Sequence, residues 1–458
     1  MSNLSGTLNI ATGALEAEQG ALTATANNVA NVNTPGYSRL RPDLEESDPV
    51  TIGNLTFGMG VSLQKLESLR DPILQLRIQE ETQQQGQLNS LSSAMQQVQV
   101  QFTSSSSDIG SEISNFFSSL NQLSTDPTNI SLRQGVLTAA GNMATAFRNV
   151  STNLSQQRSS LDQTVGQAVQ QVNTLTTEIA QLNTQISQLQ GVNQDASALV
   201  DKRDVLIGQL SGLIDVSTIN SDSGLTLTTS NGTALVSGGD SFALTTQTNS
   251  SGLQDIYAQG NDITGQLASG QLAGLLEVRD QRIPALLSNL DTLAAGLANG
   301  LNAANSRGYD LNGNQGGNLF VAPPPNGQGA AENLQVQITD PSLIAASSDG
   351  SPGSNGNVAV LSAVQDQPVS DGEDPNDYYS GIVFGVGNDV SDSSSELSAS
   401  QAILSQLQDQ RNSVSGVSLD EEASNMVQYQ RAYDAAAQVV TTINDMLYTV
   451  INMGTLTG

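Results

Sequence analysis

The chain has 458 residues, enough for two to four domains, and no Cys or His. That composition excludes disulfides, thiolate metal sites, Cys nucleophiles and every His-dependent triad or zinc site. With 44 acidic against 15 basic residues the formal net charge is −29, which argues against nucleic acid or an anionic membrane as partner.

The acidity is uneven. No Lys or Arg falls between Arg203 and Arg279 or between Arg307 and Arg411, whereas the start balances Glu16 and Glu18 against Arg39 and Arg41. A near-neutral start and acidic middle segments fit a buried terminus and a solvated body. No basic stretch followed by a long apolar run opens the chain, and no run of eighteen apolar residues occurs, so neither a cleavable secretory signal nor a membrane span is expected.

The first predicted element is a helix from about Asn3 to Val32. Leu8, Leu15, Leu22 and Val29 recur every seventh residue along it, with Leu4, Ala11 and Thr25 in the flanking row. Such a stripe is a seam that another helix must cover. Asn27, Asn28, Asn31 and Asn33 mark its end, their amides available to bond neighbouring chains. Thr34-Pro35-Gly36-Tyr37 then has the composition of a type II turn, with Pro35 fixing φ and Gly36 supplying a positive φ. From Tyr37 to about Leu66 the pattern is irregular or extended.

A helical block follows. Ile73, Leu76, Leu88, Leu91, Met95, Val98 and Phe102 recur mostly at three- and four-residue steps, and Ile109, Ile113, Phe116 and Leu120 continue beyond a break at Ser104–Ser107. Asp126-Pro127 reads as the next helix start, Asp as cap and Pro in the first turn. Leu161, Val165, Ala168, Val172, Leu175, Ile179, Leu182, Ile186 and Leu189 then alternate four- and three-residue steps without a miss, the pattern of a coiled-coil seam. Leu199–Leu213 and Pro284–Asn302 are shorter helices.

Val216–Thr248 alternates polar with apolar residues and contains the hairpin signal Asn231-Gly232. Gly308–Ser395 is rich in Gly, Pro, Asn and Asp and reads as loops and short strands. The last helix carries Leu419, Met426, Tyr433, Val440 and Leu447 every seventh residue, with Ala436, Ile443 and Val450 flanking the later members. Matching seams at opposite ends of the chain are expected to cover each other.

The predicted fold is therefore mainly α with a β-containing insert: terminal helices paired as a coiled coil, a helical-bundle trunk, and an outer domain of short strands and loops. Residues 1–36 and 418–458 form the terminal domain. The trunk takes 37–215, 265–305 and 396–417, the β-rich insert 216–264, and the outer region 306–395.

Little chemistry is written in the chain. Asp310, Asn312 and Asn314 resemble half a calcium loop, but Gln315 and Val321 stand where Gly and Glu belong, so a turn is expected. Asp371, Glu373, Asp374 and Asp377 read as a solvated turn. Gly58-Met59-Gly60 lacks the third glycine of a dinucleotide loop. With no Trp, 8 Tyr and 8 Phe there is little to line a sugar-stacking cleft. No catalytic residue, cofactor or metal is assigned, and the chain is read as a building block, not an enzyme.

The run Ala26-Asn27-Asn28-Val29-Ala30-Asn31-Val32-Asn33-Thr34-Pro35-Gly36-Tyr37-Ser38-Arg39 resembles the N-terminal signature shared by rod, hook and hook-associated proteins of the bacterial flagellum. Ser418-Leu419-Asp420-Glu421-Glu422, and Gln428-Tyr429-Gln430-Arg431-Ala432-Tyr433-Asp434-Ala435-Ala436-Ala437 after it, resemble the hook-associated protein 1 family in particular. So do Leu199-Val200-Asp201-Lys202-Arg203-Asp204, Gly274-Leu275-Leu276-Glu277-Val278-Arg279-Asp280 and Asp310-Leu311-Asn312-Gly313-Asn314.

The resemblance implies export through the flagellar type III apparatus without a cleavable signal, with a chaperone at the C-terminal region. It implies an extracellular place at the hook–filament junction, with copies of itself, hook protein and the next junction protein as partners. Nucleic acid and membrane insertion are not implied. On this reading Leu8, Leu15, Leu22 and Val29 pack against Leu419, Met426, Tyr433, Val440 and Leu447, and the termini order only on assembly. A hook or distal rod protein is the nearest alternative. An adhesin or a rod-associated enzyme on an axial scaffold is further off.

Overall fold

The computed structural model describes residues 2–52, 55–103, 108–221, 224–370 and 372–455. Helix α1 (Ser2–Ala30) buries small residues, Ala17, Ala21, Ala24 and Asn28, at alternating four- and three-residue steps. The chain then enters an antiparallel ribbon, β1 (Leu40–Glu46) with β4 (Val61–Ser68), whose distal end is β2 (Val50–Ile52) with β3 (Leu55–Phe57). The ribbon lies along α1 because that face carries glycine every seventh residue. A Cβ on Gly13 would sit 3.3 Å from the Val61 carbonyl, and one on Gly20 would strike Leu63. Residues 40–68 therefore pack along α1, whereas the sequence pattern places 37 onward in the trunk.

The trunk begins with α2 (Pro72–Thr103), α3 (Ile109–Leu123), α4 (Ile130–Gly191) and α5 (Ser197–Leu213). Asp71 starts α2 by accepting from the N–H groups of Ile73 and Leu74, both at 3.0 Å. The serine break 104–107 lies outside the described residues. Helix α3 buries Ile109, Ile113, Phe116, Phe117, Leu120 and Leu123, an apolar face that packs on α4. Helix α4 runs 62 residues and starts later than expected, because Asn129 and not Asp126 is its cap. Asp126 turns its carboxylate onto Thr128, while Asn129 accepts from Ser131 and Leu132.

Along α4, Leu161, Val165, Ala168, Val172, Ile179, Leu182 and Ile186 are buried, and Leu175 and Leu189 are half-buried. The cover differs from a coiled coil. Helix α5 folds back on part of the seam, and two small antiparallel sheets cover the rest. One is β5 (Ser217–Ser221), β6 (Gly224–Thr228), β7 (Ala234–Ser237) and β8 (Asp240–Ser241); the other orders β9 (Leu244–Thr248), β10 (Gln254–Ala258) and β11 (Asn261–Asp262) as β11-β10-β9. A seven-residue period reports that a face is buried and is silent on what buries it. Polar side chains of α4 fix the docking: Asn173 exchanges two 2.8 Å bonds with the Leu244 backbone, and Asn183 donates to the carbonyls of Leu225 and Gly238. Asn231-Gly232 lies in the β6–β7 hairpin loop, with Gly232 at φ +88°.

Helix α6 (Gly270–Glu277) passes through one π-helical turn, Val278–Arg282, into α7 (Ile283–Asn305). Arg279 in that turn has no exposed surface. It donates to Asp162 on α4 and to the Gln254 carbonyl on β10, both at 2.7 Å, and grips Asp280 with two more bonds. Burial pushes its pKa down, but the bond and charge of Asp280, reinforced by Asp162, more than offset this, and the net shift is upward.

Residues 306–355 wrap the trunk as loops with isolated bridges, and Leu319, Phe320, Leu334, Ile338 and Ile344 sit in its core. Asp310 closes its turn by accepting from the N–H groups of Asn312 and Asn314, with Gly313 at φ +76°. Helix α8 (Gly356–Ser362) follows. The expected loop and strand character of 306–395 fails at α8 and again beyond Asp374, where Pro375–Ser415 is one 41-residue helix, α9. Asp374 caps it through Asn376 and Asp377, and Pro375 occupies its first turn. Its sequence reads as loop because the buried row mixes Tyr379, Ile382 and Val386 with Ser393 and Ser400, small residues that let α9 lie close on α2. Asp371 lies outside the described residues.

Helix α10 (Leu419–Thr455) ends the chain and returns antiparallel along α1. The architecture is mainly α with a strand-containing insert and paired terminal helices, as the sequence leads one to expect.

Candidate assembly site

Two residues of the N-terminal signature, Asn28 and Ser38, are buried, while Ala26, Asn27, Ala30, Asn33, Thr34 and Pro35 face solvent. The signature lies where α1 ends, α10 begins and both meet the trunk. Asn28 is 1% exposed and uses its whole amide. Its Nδ2 donates to the Leu40 carbonyl at 2.9 Å and to Glu422 Oε2 at 3.1 Å; its Oδ1 accepts from the Tyr37 hydroxyl at 2.9 Å and the Leu40 N–H at 2.8 Å. Glu422, also 1% exposed, takes a second bond from Arg39 Nε at 2.7 Å, and Arg39 Nη1 reaches Glu421 at 2.6 Å. A buried carboxylate is tolerated only when paired and hydrogen-bonded, and Glu422 is both.

The same turn is tied to the trunk. The Ser38 N–H donates to Asp201 Oδ2 on α5 at 3.0 Å, and Arg70 holds the other oxygen of Asp201 at 2.8 Å. Arg39 N–H donates to the Ser415 carbonyl at the end of α9, and Arg411 donates to the Gly36 carbonyl at 2.8 Å. Burial, with the carboxylates of Asp201, Glu422 and Asp195, pushes the Tyr37 phenol up to about 12, so it stays a donor to Asn28 at any physiological pH. Asn31, by contrast, folds back onto the carbonyl of Asn27, and Asn33 is exposed.

The chain enters this knot through a hydrogen-bonded turn, Tyr37 N–H to Thr34 carbonyl at 3.2 Å, with Gly36 at φ +81°. A Cβ there would also strike Val205 on α5. Gly36→Val is expected to cost at least about 2 kcal/mol from the left-handed backbone and the clash together. Faster proteolytic cleavage between Val32 and Leu40, with the trunk still resistant, is the readout.

Beyond the knot the helix pair is unevenly covered. Leu8, Leu15, Leu22 and Val29 are each half-buried, while Ala11, Ala17, Ala21 and Ala24 are the buried apolar positions of α1. On α10, Ile443 and Glu422 are buried and Met426, Tyr433, Val440 and Leu447 are half-buried, but Leu419 is 52% exposed. Leu419 therefore stands outside the packed face. Val439, Met446 and Val450, seven and four residues apart, form a second apolar row on α10 that the described residues leave about half exposed. The 394-residue separation of Asn28 and Glu422 hid their bond from sequence reasoning; only the signature itself pointed there.

Among the described residues no group of three or more His, Cys, Asp or Glu could hold a metal ion, and no helix is long and apolar enough to cross a membrane.

Comparison with known proteins agrees with this geometry. Residues 95–320 match the helical domain of flagellar hook-associated protein FlgK, 8–37 the flagella basal body rod protein family, and 408–453 the C-terminal family of flagellar basal body rod proteins FlgEFG. Flagellar hook-associated protein 1 of Bacillus subtilis is 30% identical, covering 97% of either chain. The Salmonella typhimurium protein of the same name is 25% identical over 98% of this chain and its own full length. The solved flagellar hook junction protein FlgK of Burkholderia pseudomallei shares the fold at a TM-score of 0.67 and 18% identity, covering 74% of this chain and all of its own. A chain that matches relatives from end to end, and whose signature residues knot its two ends together, belongs to the flagellar hook-associated protein 1 family.

Proposed function

We propose that this chain is a structural subunit of the bacterial flagellum that joins hook to filament, assembling at the distal end of the hook. The observation that carries the reading is the half-exposed row of α10. A helix with Val439, Met446 and Val450 half-exposed on one side and α1 on the other is an incomplete core, and neighbouring subunits supply the remainder. Such contacts are head-to-tail and do not close, the class that builds helical arrays. Its partners are copies of itself, hook protein and the next junction protein, and it works outside the cell without catalysis or cofactor. Export proceeds unfolded, without a cleavable signal, with a chaperone at the C-terminal region; a chain with no Cys has no disulfide to be kept reduced on the way.

The interface centres on Leu8, Leu15, Leu22 and Val29 of α1 with Met426, Tyr433, Val440 and Leu447 of α10, and extends to the half-exposed row. In the free monomer both helices fray away from the knot and become fully ordered on assembly. Val440→Asp places a charge in that half-covered seam. It is expected to leave the thermal transition of the trunk unchanged while cells carry hooks without filaments and shed the variant into the medium. Normal filaments on Val440→Asp cells would remove the terminal pair from the interface.

A further inference from the structure

Five Asn-Gly pairs occur in the chain: Asn231-Gly232, Asn299-Gly300, Asn312-Gly313, Asn326-Gly327 and Asn355-Gly356. Such a pair carries a reaction of its own. Glycine has no Cβ to shield its backbone nitrogen, so that nitrogen can reach the side-chain amide carbon of the preceding asparagine wherever the backbone can open.

Four of the five are locked. Asn299 and Gly300 lie inside α7, in the helix ladder. At the β6–β7 hairpin the Gly232 N–H donates to the Thr229 carbonyl at 2.9 Å, the Thr229 N–H to the Thr233 carbonyl at 2.8 Å, and the Asn231 amide reaches Gln266. Around Asn312 the Asp310 carboxylate gathers two backbone N–H groups, and the Leu311 N–H is tied to the distant Ser342 carbonyl at 3.0 Å. Asn355 Nδ2 donates to the Ser124 carbonyl beyond α3 at 2.8 Å, and a Cβ on Gly356 would strike Ser348.

The fifth pair is held only by itself. It follows Pro323-Pro324-Pro325, three residues with no N–H to give to any ladder, and Pro324, Pro325 and Asn326 are all exposed. Among the described residues every hydrogen bond of 322–328 stays within 322–330. The Gly327 N–H donates to the Pro324 carbonyl at 2.8 Å, Asn326 Nδ2 donates to Gln328 Oε1 at 3.1 Å, and the Gln328 N–H donates to Asn326 Oδ1 at 3.3 Å. Opening this turn breaks one backbone bond and disturbs no other segment.

We infer that Asn326-Gly327 is a site of spontaneous deamidation in the folded protein. The Gly327 N–H gives its proton to hydroxide and the nitrogen bonds to Asn326 Cγ. Negative charge then develops on Oδ1, towards which the Gln328 N–H already points. The Cγ–Nδ2 bond breaks, and that nitrogen leaves as ammonia with a proton from water. Water opens the remaining succinimide at either carbonyl, giving aspartate or isoaspartate. The net reaction consumes water, releases ammonia and needs no oxidant or reductant. Each event adds a negative charge to the loop, and the isoaspartate also lengthens its main chain by one carbon. In an array outside the cell the product accumulates with age, a consequence that rests on the junction reading, whereas the chemistry does not.

The test incubates the purified full-length protein in mildly alkaline buffer, folded and in denaturant, and follows each asparagine by fragmentation mass spectrometry. Labelling with an isoaspartyl methyltransferase counts the rearranged product. In the folded chain Asn326 is expected to convert about tenfold faster than the other four, the factor for one or two further hydrogen bonds broken on opening. In denaturant the five rates are expected to converge. Another of the five converting as fast in the folded chain would overturn the inference. So would an Asn326 that stays an amide while the denatured chain converts, or one that leads by the same factor in denaturant. None of these results bears on the junction reading, which layers on isolated hooks decide.

Discussion

Asn28→Asp is expected to detach the terminal helix pair from the trunk without unfolding the trunk. The substitution keeps the size of the side chain and removes both donors. The Leu40 carbonyl then loses its partner, and a second carboxylate faces Glu422 in a site that is 1% exposed on both sides. Each unsatisfied buried group costs about 1–3 kcal/mol, and like charges add to that, so a local loss of 3 kcal/mol or more follows. Arg39 cannot neutralise both acids, because Glu421 and Glu422 already share it. Limited proteolysis should release residues 1–40 and 415–458 early, while the main thermal transition keeps its midpoint. A trunk midpoint that falls together with terminal protection would mean that the knot is part of one cooperative unit.

Arg279→Ala is expected to act on the other half of the molecule. Its guanidinium is fully buried and ties α4, β10 and the π-helical turn at one point. Removing it strands the Asp162 carboxylate, which is 7% exposed and left, among the described residues, with only the Gln254 N–H. Breaking a buried pair from one side costs about 3–5 kcal/mol, a large share of what holds a domain together. Arg279→Lys is not a rescue, since a single ammonium cannot span Asp162 and Asp280 together. Arg279→Met with Asp162→Asn should recover part of the loss, because no bare charge then remains. Denaturant unfolding of the three variants checks the order, and equal stability of Arg279→Ala and the double variant would mean that the ion pair contributes only packing.

The parts of the fold that were legible are those fixed locally. The helical ends, the seam Leu161–Leu189, the Asn231-Gly232 hairpin and the Asp310 turn follow from periodicity or from residues that need a particular φ. What escaped depends on partners distant in the chain. The α4 seam is covered partly by sheets, which no heptad announces. Helix α9 hides its buried face behind Ser393 and Ser400, because a close helix contact needs small side chains and not apolar ones. The same holds at the start, where alanines are buried and the more conspicuous leucines are half-covered. Asp126 and Asn129 are both good caps, and which of them wins is decided by where Arg133 is held, its guanidinium bonded to the Pro127 and Ile344 carbonyls. The asparagines of the signature read as free amides, yet Asn28 spends all its bonding capacity inside the chain.

The most direct measurement adds purified protein to isolated hooks and images the tips by electron microscopy. The full chain is expected to form an ordered distal layer, and the same chain cut at Ser418 to form none while its trunk stays folded. Absence of a layer from a folded, full-length sample, or self-assembled tubes in place of one, would contradict the junction role.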